Sequence, residues 1–329
     1  MTDRTTRAVE GADRLEAAAD TTDSAPISRR RFLAGVGATS VLAATGLLGA
    51  ACTKTHPTGG APKAAGAPST LERARKAGKI TVGYAGEAPH SFLKDGKLEG
   101  SAIAIDGAVY RELGIPKIDG VLVSFGQLIP GLKAGRFDAV SADMSILPDR
   151  CKEVAFSEPT FRYTTALMVA KSNPKGLTDL DSAKAKNARV CVMAGAIEGS
   201  YAKRLGIDAT VVDDAQGGMD ALVAGRFDAF ALTAVSLNWM AKQQPTAPVE
   251  VTPSFVQVID GVPQVGAGGA TFRKEDEDLV AAFNSKLAPI THDKERYLSL
   301  TKQFGYTEAE MPNPKFTTAI LCKGVPRST

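Results

Sequence analysis

The chain is poor in the residues on which most enzymes and metal proteins build their chemistry. Of 329 residues, three are histidine, four cysteine and one tryptophan. There is no CxxC pair and no His/Cys cluster, so the usual ligand spacing for a metal is missing and no cofactor is expected. There is no Gly-x-Ser-x-Gly elbow, and the glycine-rich run at 266–269 lacks the Lys-Ser/Thr ending of a phosphate loop. Charge of one sign is lacking as well. The 39 Lys and Arg against 36 Asp and Glu leave a formal +3, too little for a nucleic-acid groove. Trp239 stands alone on a helical pattern, where packing is its expected role.

What is present begins with an export pattern. Ser28-Arg29-Arg30-Arg31-Phe32-Leu33 precedes an uncharged Ala/Gly/Val/Leu stretch that ends at Ala50-Ala51-Cys52. Twin arginines before a mildly apolar segment resemble a twin-arginine translocation signal, which places the protein outside the cytoplasm. A permanent membrane helix is the competing reading, disfavoured by the weak hydropathy and the small-residue cleavage site. Cys52 resembles the acceptor cysteine of a bacterial lipoprotein, although Gly49 stands where leucine is usual. Residues 1–52 therefore read as signal with a lipoprotein-like cysteine, and 53–69, rich in Pro, Gly, Ala and Thr, as a flexible tether. The expected location is the outer face of the cytoplasmic membrane or the periplasm. Export permits one disulfide among Cys151, Cys191 and Cys322, with the pairing open.

In the mature part, Ala134-Gly135-Arg136-Phe137-Asp138-Ala139 returns as Ala224-Gly225-Arg226-Phe227-Asp228-Ala229. Each copy follows an amphipathic run and precedes an apolar one, which reads as helix, glycine stop, strand. Two copies suit two α/β lobes facing each other across a cleft rather than a solenoid. Asp138 and Asp228 read as turn carboxylates that accept backbone N–H groups. Strands are expected at 79–84, 121–125, 139–142, 164–170, 190–193, 210–212 and 229–232. Helices are expected at 71–77, 103–113, 198–205, 275–287 and 294–304. An extended segment at 265–272 returns the chain, so it crosses between lobes twice.

The run Gly126 to Asp138, then Met144 to Arg150, then Phe156-Ser157-Glu158-Pro159, resembles the polar amino-acid binding proteins of bacterial ABC importers. Within that family the likeness is to the ectoine/hydroxyectoine-binding branch, through Pro148-Asp149-Arg150-Cys151, Ala231-Leu232-Thr233-Ala234 and Val258-Ile259-Asp260-Gly261. It covers about 79–312. The resemblance implies a two-lobed periplasmic binding protein-like α/β fold, its lobes joined by two hinge strands. Lobe 1 would contain 70–168 and 270–329, and lobe 2 would contain 169–269. It implies a binding protein rather than an enzyme, with a small zwitterionic solute, an ABC permease and an ATPase as partners, and no nucleic acid.

The same resemblance supplies the site. Arg150 matches the arginine that clamps a ligand carboxylate, a task suited to a planar guanidinium. The competing reading is an ion pair with Glu153 or Glu158. Glu87 matches a glutamate that faces the cyclic amidinium in the ectoine branch, and Thr233 stands where amino-acid binders carry an aspartate for the α-ammonium. Phe125 matches an aromatic wall, whose face attracts weakly hydrated cations. His90 and Ser145 replace two further rings, with Phe92 or Phe161 able to fill the gap, and Asp143 adds acidity. Gly195 and Ala196, at a strand-to-helix junction, would offer backbone N–H groups to a carboxylate. The readings kept beside this one are a polar amino-acid binder, a periplasmic dehydratase for prephenate- or arogenate-like acids using His90 and Glu87, and a sensor or adhesin ectodomain.

Overall fold

The structure is a computed structural model that describes residues 67–264 and 266–324. The twin-arginine pattern, Cys52 and all but the end of the tether lie outside the described residues.

The strands sort into two sheets built on one plan. In the first, Lys79–Tyr84 runs parallel to Lys117–Leu122 on one side and to Ala139–Ser145 on the other. Gly266–Phe272 then lies antiparallel to Ala139–Ser145 and carries Ala155–Phe156 and Phe161–Tyr163 on its far edge. In the second, Val190–Met193 runs parallel to Thr210–Val212 and Ala229–Thr233, and Thr165–Ala170 lies antiparallel to Ala229–Thr233. Val249–Val251 closes the edge. The sequence repeat thus leads into equivalent strands. Ala139–Ser145 and Ala229–Thr233 each sit between the parallel strands and an antiparallel partner next to a crossing. The chain leaves the first sheet after Tyr163 and enters the second at Thr165. It returns to the first at Gly266.

Parallel strands covered on both faces read as unbroken apolar runs, as Val190–Met193 and Ala229–Thr233 do, every residue buried. Ala139–Ser145 is also buried throughout, yet its alternate positions are Ser141, Asp143 and Ser145. Side chains alternate across a strand, so one face carries a polar stripe that only a set of polar partners makes tolerable. Asp143 and Ser145 reach the cleft, while Ser141 donates to the buried Asp106.

The repeated carboxylates act at turns as expected. Asp138 accepts the Thr81 N–H at 3.1 Å. Asp228 accepts the Arg189 N–H at 2.7 Å and its guanidinium Nη2 at 2.9 Å. Phe137 of the first copy seats against Gly83, where a Cβ would come within 2.5 Å of the ring; that close approach excludes any side chain there.

Several bounds shift from the sequence reading, and two shifts are the largest. The strand expected at 121–125 is Lys117–Leu122, and Phe125 opens a 3-10 turn closed by the Gln127 N–H to Ser124 C=O bond of 2.8 Å. The helix expected at 275–287 is Glu277–Thr291, running on through Pro289; a proline this near the helix end disrupts few backbone bonds. This helix and Lys294–Thr301 pack on Ser101–Glu112, returning the C-terminal part to the first sheet.

Cys151 pairs with Cys322, Cα to Cα 5.6 Å, and Cys191 is a buried free thiol. Burial pushes the Cys191 thiol pKa up to about 12, which keeps it protonated and inert.

Candidate functional site

Seven of the residues expected from sequence meet around one pocket between the sheets: Glu87, His90, Phe125, Asp143, Ser145, Ala196 and Thr233. Arg150 and Gly195 stand beside it and line a neighbouring cavity of 570 Å³. The pocket itself encloses about 20 Å³, so the cleft is shut.

Three contacts hold it shut. The Arg150 guanidinium donates from Nη1 to the Ser145 carbonyl at 2.9 Å and from Nη2 to the Gly195 carbonyl at 2.8 Å, joining the two sheets' ends. Ser236, in helix Ala234–Gln243, donates from Oγ to Glu87 Oε1 at 2.7 Å and accepts from Thr233 Oγ1 at 2.8 Å. Gly195, at φ +76°, brings its backbone so near Gly126 that a Cβ would lie 3.0 Å from the Gly126 Cα. Only glycine combines that torsion with that approach.

Arg150 is placed by the short helix Pro148–Glu153, whose first position is proline, pre-set for a helix start. Its Cζ lies 5.4 Å from the centre of the Phe125 ring, within range of a cation–π contact. Burial draws its pKa down, opposed by the charges of nearby groups such as Glu198. Neither carboxylate of the competing reading holds it. Glu153 pairs with Lys133, and Glu158 accepts the Thr318 N–H at 3.0 Å.

The junction at 195–196 acts differently from the sequence reading. The Ala196 N–H is already donated to the Met193 carbonyl at 3.1 Å. It is the Gly195 carbonyl, not its N–H, that meets Arg150.

Asp143 organises the first-sheet wall. It sits in the left-handed region at φ 47°, a conformation that costs an ordinary residue about 1–3 kcal/mol, and it collects four donors. Ser101 Oγ and Thr160 Oγ1 donate at 2.9 Å each, His90 Nδ1 lies at 3.0 Å and Tyr306 OH at 3.1 Å. His90 is buried between Asp143, Tyr306 and the edge of Phe161, its ring centre 5.1 Å from that of Phe161. Burial disfavours its charged form, but the Asp143 hydrogen bond and the charges of Glu87 and Asp143 outweigh burial and raise its pKa. Ser145 Oγ accepts from Tyr163 OH at 2.5 Å.

Of the two residues offered to fill the aromatic gap, Phe161 lines the pocket. Phe92 instead packs with Trp239 and Phe304, at 6.0 and 6.4 Å between ring centres. Trp239 therefore packs, and it does so across the two lobes.

Sequence reasoning missed Glu198, Tyr163 and Tyr306. Glu198 lies in the first turn of helix Ile197–Leu205, is 1% exposed and accepts from Thr165 Oγ1 at 3.4 Å. Burial, with the Glu87 charge adding to it, pushes its pKa up to about 7. An acid in a helix's first turn reads as a partner of the helix dipole, and that ordinary role hid it. Tyr306 comes from the far end of the chain and carried no local signal.

The chain matches the model of the bacterial extracellular solute-binding proteins, family 3, over residues 80–306. It is 34% identical over 260 residues to a probable amino-acid ABC transporter periplasmic-binding protein of Sinorhizobium fredii, covering 77% of this chain and 86% of that one. The solved structure of EhuB in complex with hydroxyectoine is similar at TM-score 0.69 and 30% identity, over 78% of this chain and 99% of that one. An ancestral arginine-binding protein bound to arginine is similar at TM-score 0.61 and 27% identity, over 69% and 98%. The family is one of extracellular solute-binding proteins, not enzymes, and the Sinorhizobium relative is a periplasmic-binding protein of an ABC transporter. With its two sheets shut on a charged cleft, the chain belongs to the bacterial extracellular solute-binding proteins, family 3, and serves an ABC importer of amino-acid-like solutes.

Proposed function

We propose that the protein captures a small zwitterionic compatible solute, such as ectoine or hydroxyectoine, and hands it to the permease and ATPase of its importer. One observation carries the reading: Arg150, stacked over Phe125, borders a pocket whose wall holds Glu87. A ligand carboxylate at Arg150 and a delocalised ligand cation at Glu87 and the Phe125 face satisfy both charges, and the uncharged Thr233 leaves no third demand there. The lobes close on the solute at the two crossings that lead into Thr165–Ala170 and Gly266–Phe272, since a few strand-end torsions absorb such motion. Cys52 carries the lipid that keeps the protein at the membrane.

A second reading, a polar amino acid as ligand, is favoured by Glu198, which returns a carboxylate to the second lobe. A thermal-shift panel of ectoine, hydroxyectoine, proline, glycine betaine and the basic and polar amino acids separates the two. The proposal expects the largest stabilisation from an ectoine, lost in Arg150→Ala and Glu87→Gln. Stabilisation by a basic amino acid alone, lost in Glu198→Gln, establishes the second reading instead.

A further inference from the structure

A histidine inside a ligand pocket can do what the aromatic ring expected there cannot: carry a proton. His90 is 2% exposed. Its Nδ1 faces Asp143 Oδ2 at 3.0 Å, and Asp143 is a carboxylate already collecting hydroxyl donors from Ser101, Thr160 and Tyr306. Tyr306 OH also lies 2.8 Å from Nδ1; with that hydroxyl donating to Asp143, which only accepts, Nδ1 is the nitrogen that keeps its hydrogen. Nε2 is left facing Glu87, 3.7 Å from Oε1. With its second proton, Nε2 is a donor and a positive charge beside Glu87. Without that proton it is an acceptor.

A ligand cation seated at Glu87 needs the same place and the same negative charge. Two cations side by side at Glu87 repel each other, and like charges at this range disfavour the charged form. From this juxtaposition we propose that His90 is a specificity-determining residue: capture of the ligand expels the Nε2 proton to solvent, and the freed Nε2 accepts an N–H of the ligand's cation. This rests on the reading that a ligand cation sits at Glu87. It deepens that reading by naming the class, cations that carry N–H groups, and it disfavours quaternary ammonium solutes, which have none to donate.

Other titratable groups face the same space. Tyr306 packs on His90 from the C-terminal segment and Tyr163 lies on the neighbouring strand, and burial pushes both phenols up, out of the physiological range. Across the cleft stand Arg150 and Glu198. Glu198 is the rival, because it titrates near neutrality and would take up a proton or lose one independently of His90.

The sign follows from the raised pKa of His90. The free protein holds the proton to higher pH than an ordinary imidazole, so binding tightens as pH rises, by up to about tenfold per unit, until His90 is neutral without ligand. Calorimetric titration with ectoine, hydroxyectoine and L-arginine at pH 6.5, in buffers of different ionisation heat, counts the protons released. The expected result is close to one per ligand in the wild type and in Glu198→Gln, and none in His90→Phe or His90→Gln, whose affinities lose their pH slope. Proton release that persists in both His90 variants and vanishes in Glu198→Gln overturns the proposal.

A ligand-free arm keeps the two readings apart. The chain has only His56, His90 and His292, so imidazole NMR of the free protein gives three assignable signals, with His90 the one missing in His90→Phe. A largely doubly protonated His90 ring at pH 6.5 is expected. A neutral ring overturns the proposal whatever the ligand proves to be, whereas failure of ectoines with proton-releasing binding of arginine overturns only the compatible-solute reading.

Discussion

Replacing Ser236 with alanine removes one oxygen, and that oxygen bridges the lobes. Ser236 is fully buried, donates to Glu87 Oε1 at 2.7 Å and accepts from Thr233 at 2.8 Å. A hydrogen bond to a charged group is worth about 1.5–3 kcal/mol, and here it exists only while the cleft is shut, so the loss falls on the closed state. At 1.4 kcal/mol per decade, the closed-to-open ratio drops roughly 10- to 150-fold. A ligand that binds the closed form then weakens by up to that factor. The single tryptophan supplies the assay. Trp239 belongs to the second lobe's helix and packs against Phe92 and Phe304 of the first, so its emission reports closure. Ser236→Ala is expected to red-shift the emission of the free protein and to raise the apparent Kd within that range. Unchanged emission with wild-type affinity refutes the claim that this bond contributes to closure.

Three further outcomes follow from other parts of the fold. Glu198 has its pKa raised to about 7; the folded protein then holds a proton the unfolded chain gives up near pH 4.3, so stability falls as pH rises between the two. Glu198→Gln should raise the melting temperature at pH 8 and give no such gain at pH 4, and a gain of the same size at both would contradict burial as the cause. Cys151→Ser should lower the urea-unfolding free energy by about 2–5 kcal/mol, given a loop of 171 residues, while Cys191→Ser leaves that loop closed and reducing agent has no further effect on Cys151→Ser. Asp228 is held well below the ordinary carboxylate range by its hydrogen bond to Arg189. A depressed acid contributes stability above its unfolded pKa and loses it as pH falls through the folded one, so Asp228→Asn should cost about 1–3 kcal/mol at pH 7 and flatten the acid limb of the stability profile below pH 4.

The parts of this molecule written in local pattern were legible. The six-residue repeat announced two like sheets, and apolar runs such as Val190–Met193 announced strands buried on both faces. The cleft's charges were legible through motif likeness, because Arg150 and Glu87 sit in short recognisable contexts. What escaped reading was held by tertiary neighbours. Phe125 continues an apolar pattern, yet a turn bond at Ser124 takes it out of the strand. The Gly195 carbonyl meets Arg150, with Gly195 in a left-handed torsion. Tyr306 reaches His90 from 216 residues away, and no window of sequence joins them. The disulfide belongs with these, since three cysteines outside the signal allow three pairings and only the packing of Thr318–Leu321 beside Pro148–Glu153 selects Cys151 with Cys322.

Closure must be favoured enough to trap a solute and weak enough to release it to the permease, and a ligand shifts that balance only by its preference for the closed form. A bond from Ser236 and a guanidinium bridge from Arg150 are a modest polar latch. Both involve groups that the proposed solute also engages: its carboxylate competes with backbone carbonyls for Arg150, and its cation joins Ser236 at Glu87.

The most direct test of the central claim is a crystal structure of the protein with hydroxyectoine. The ligand carboxylate is expected within hydrogen-bond distance of Arg150 and the ring cation against Glu87 and the Phe125 face. A ligand lying the other way round, or one that touches neither charge, would contradict it.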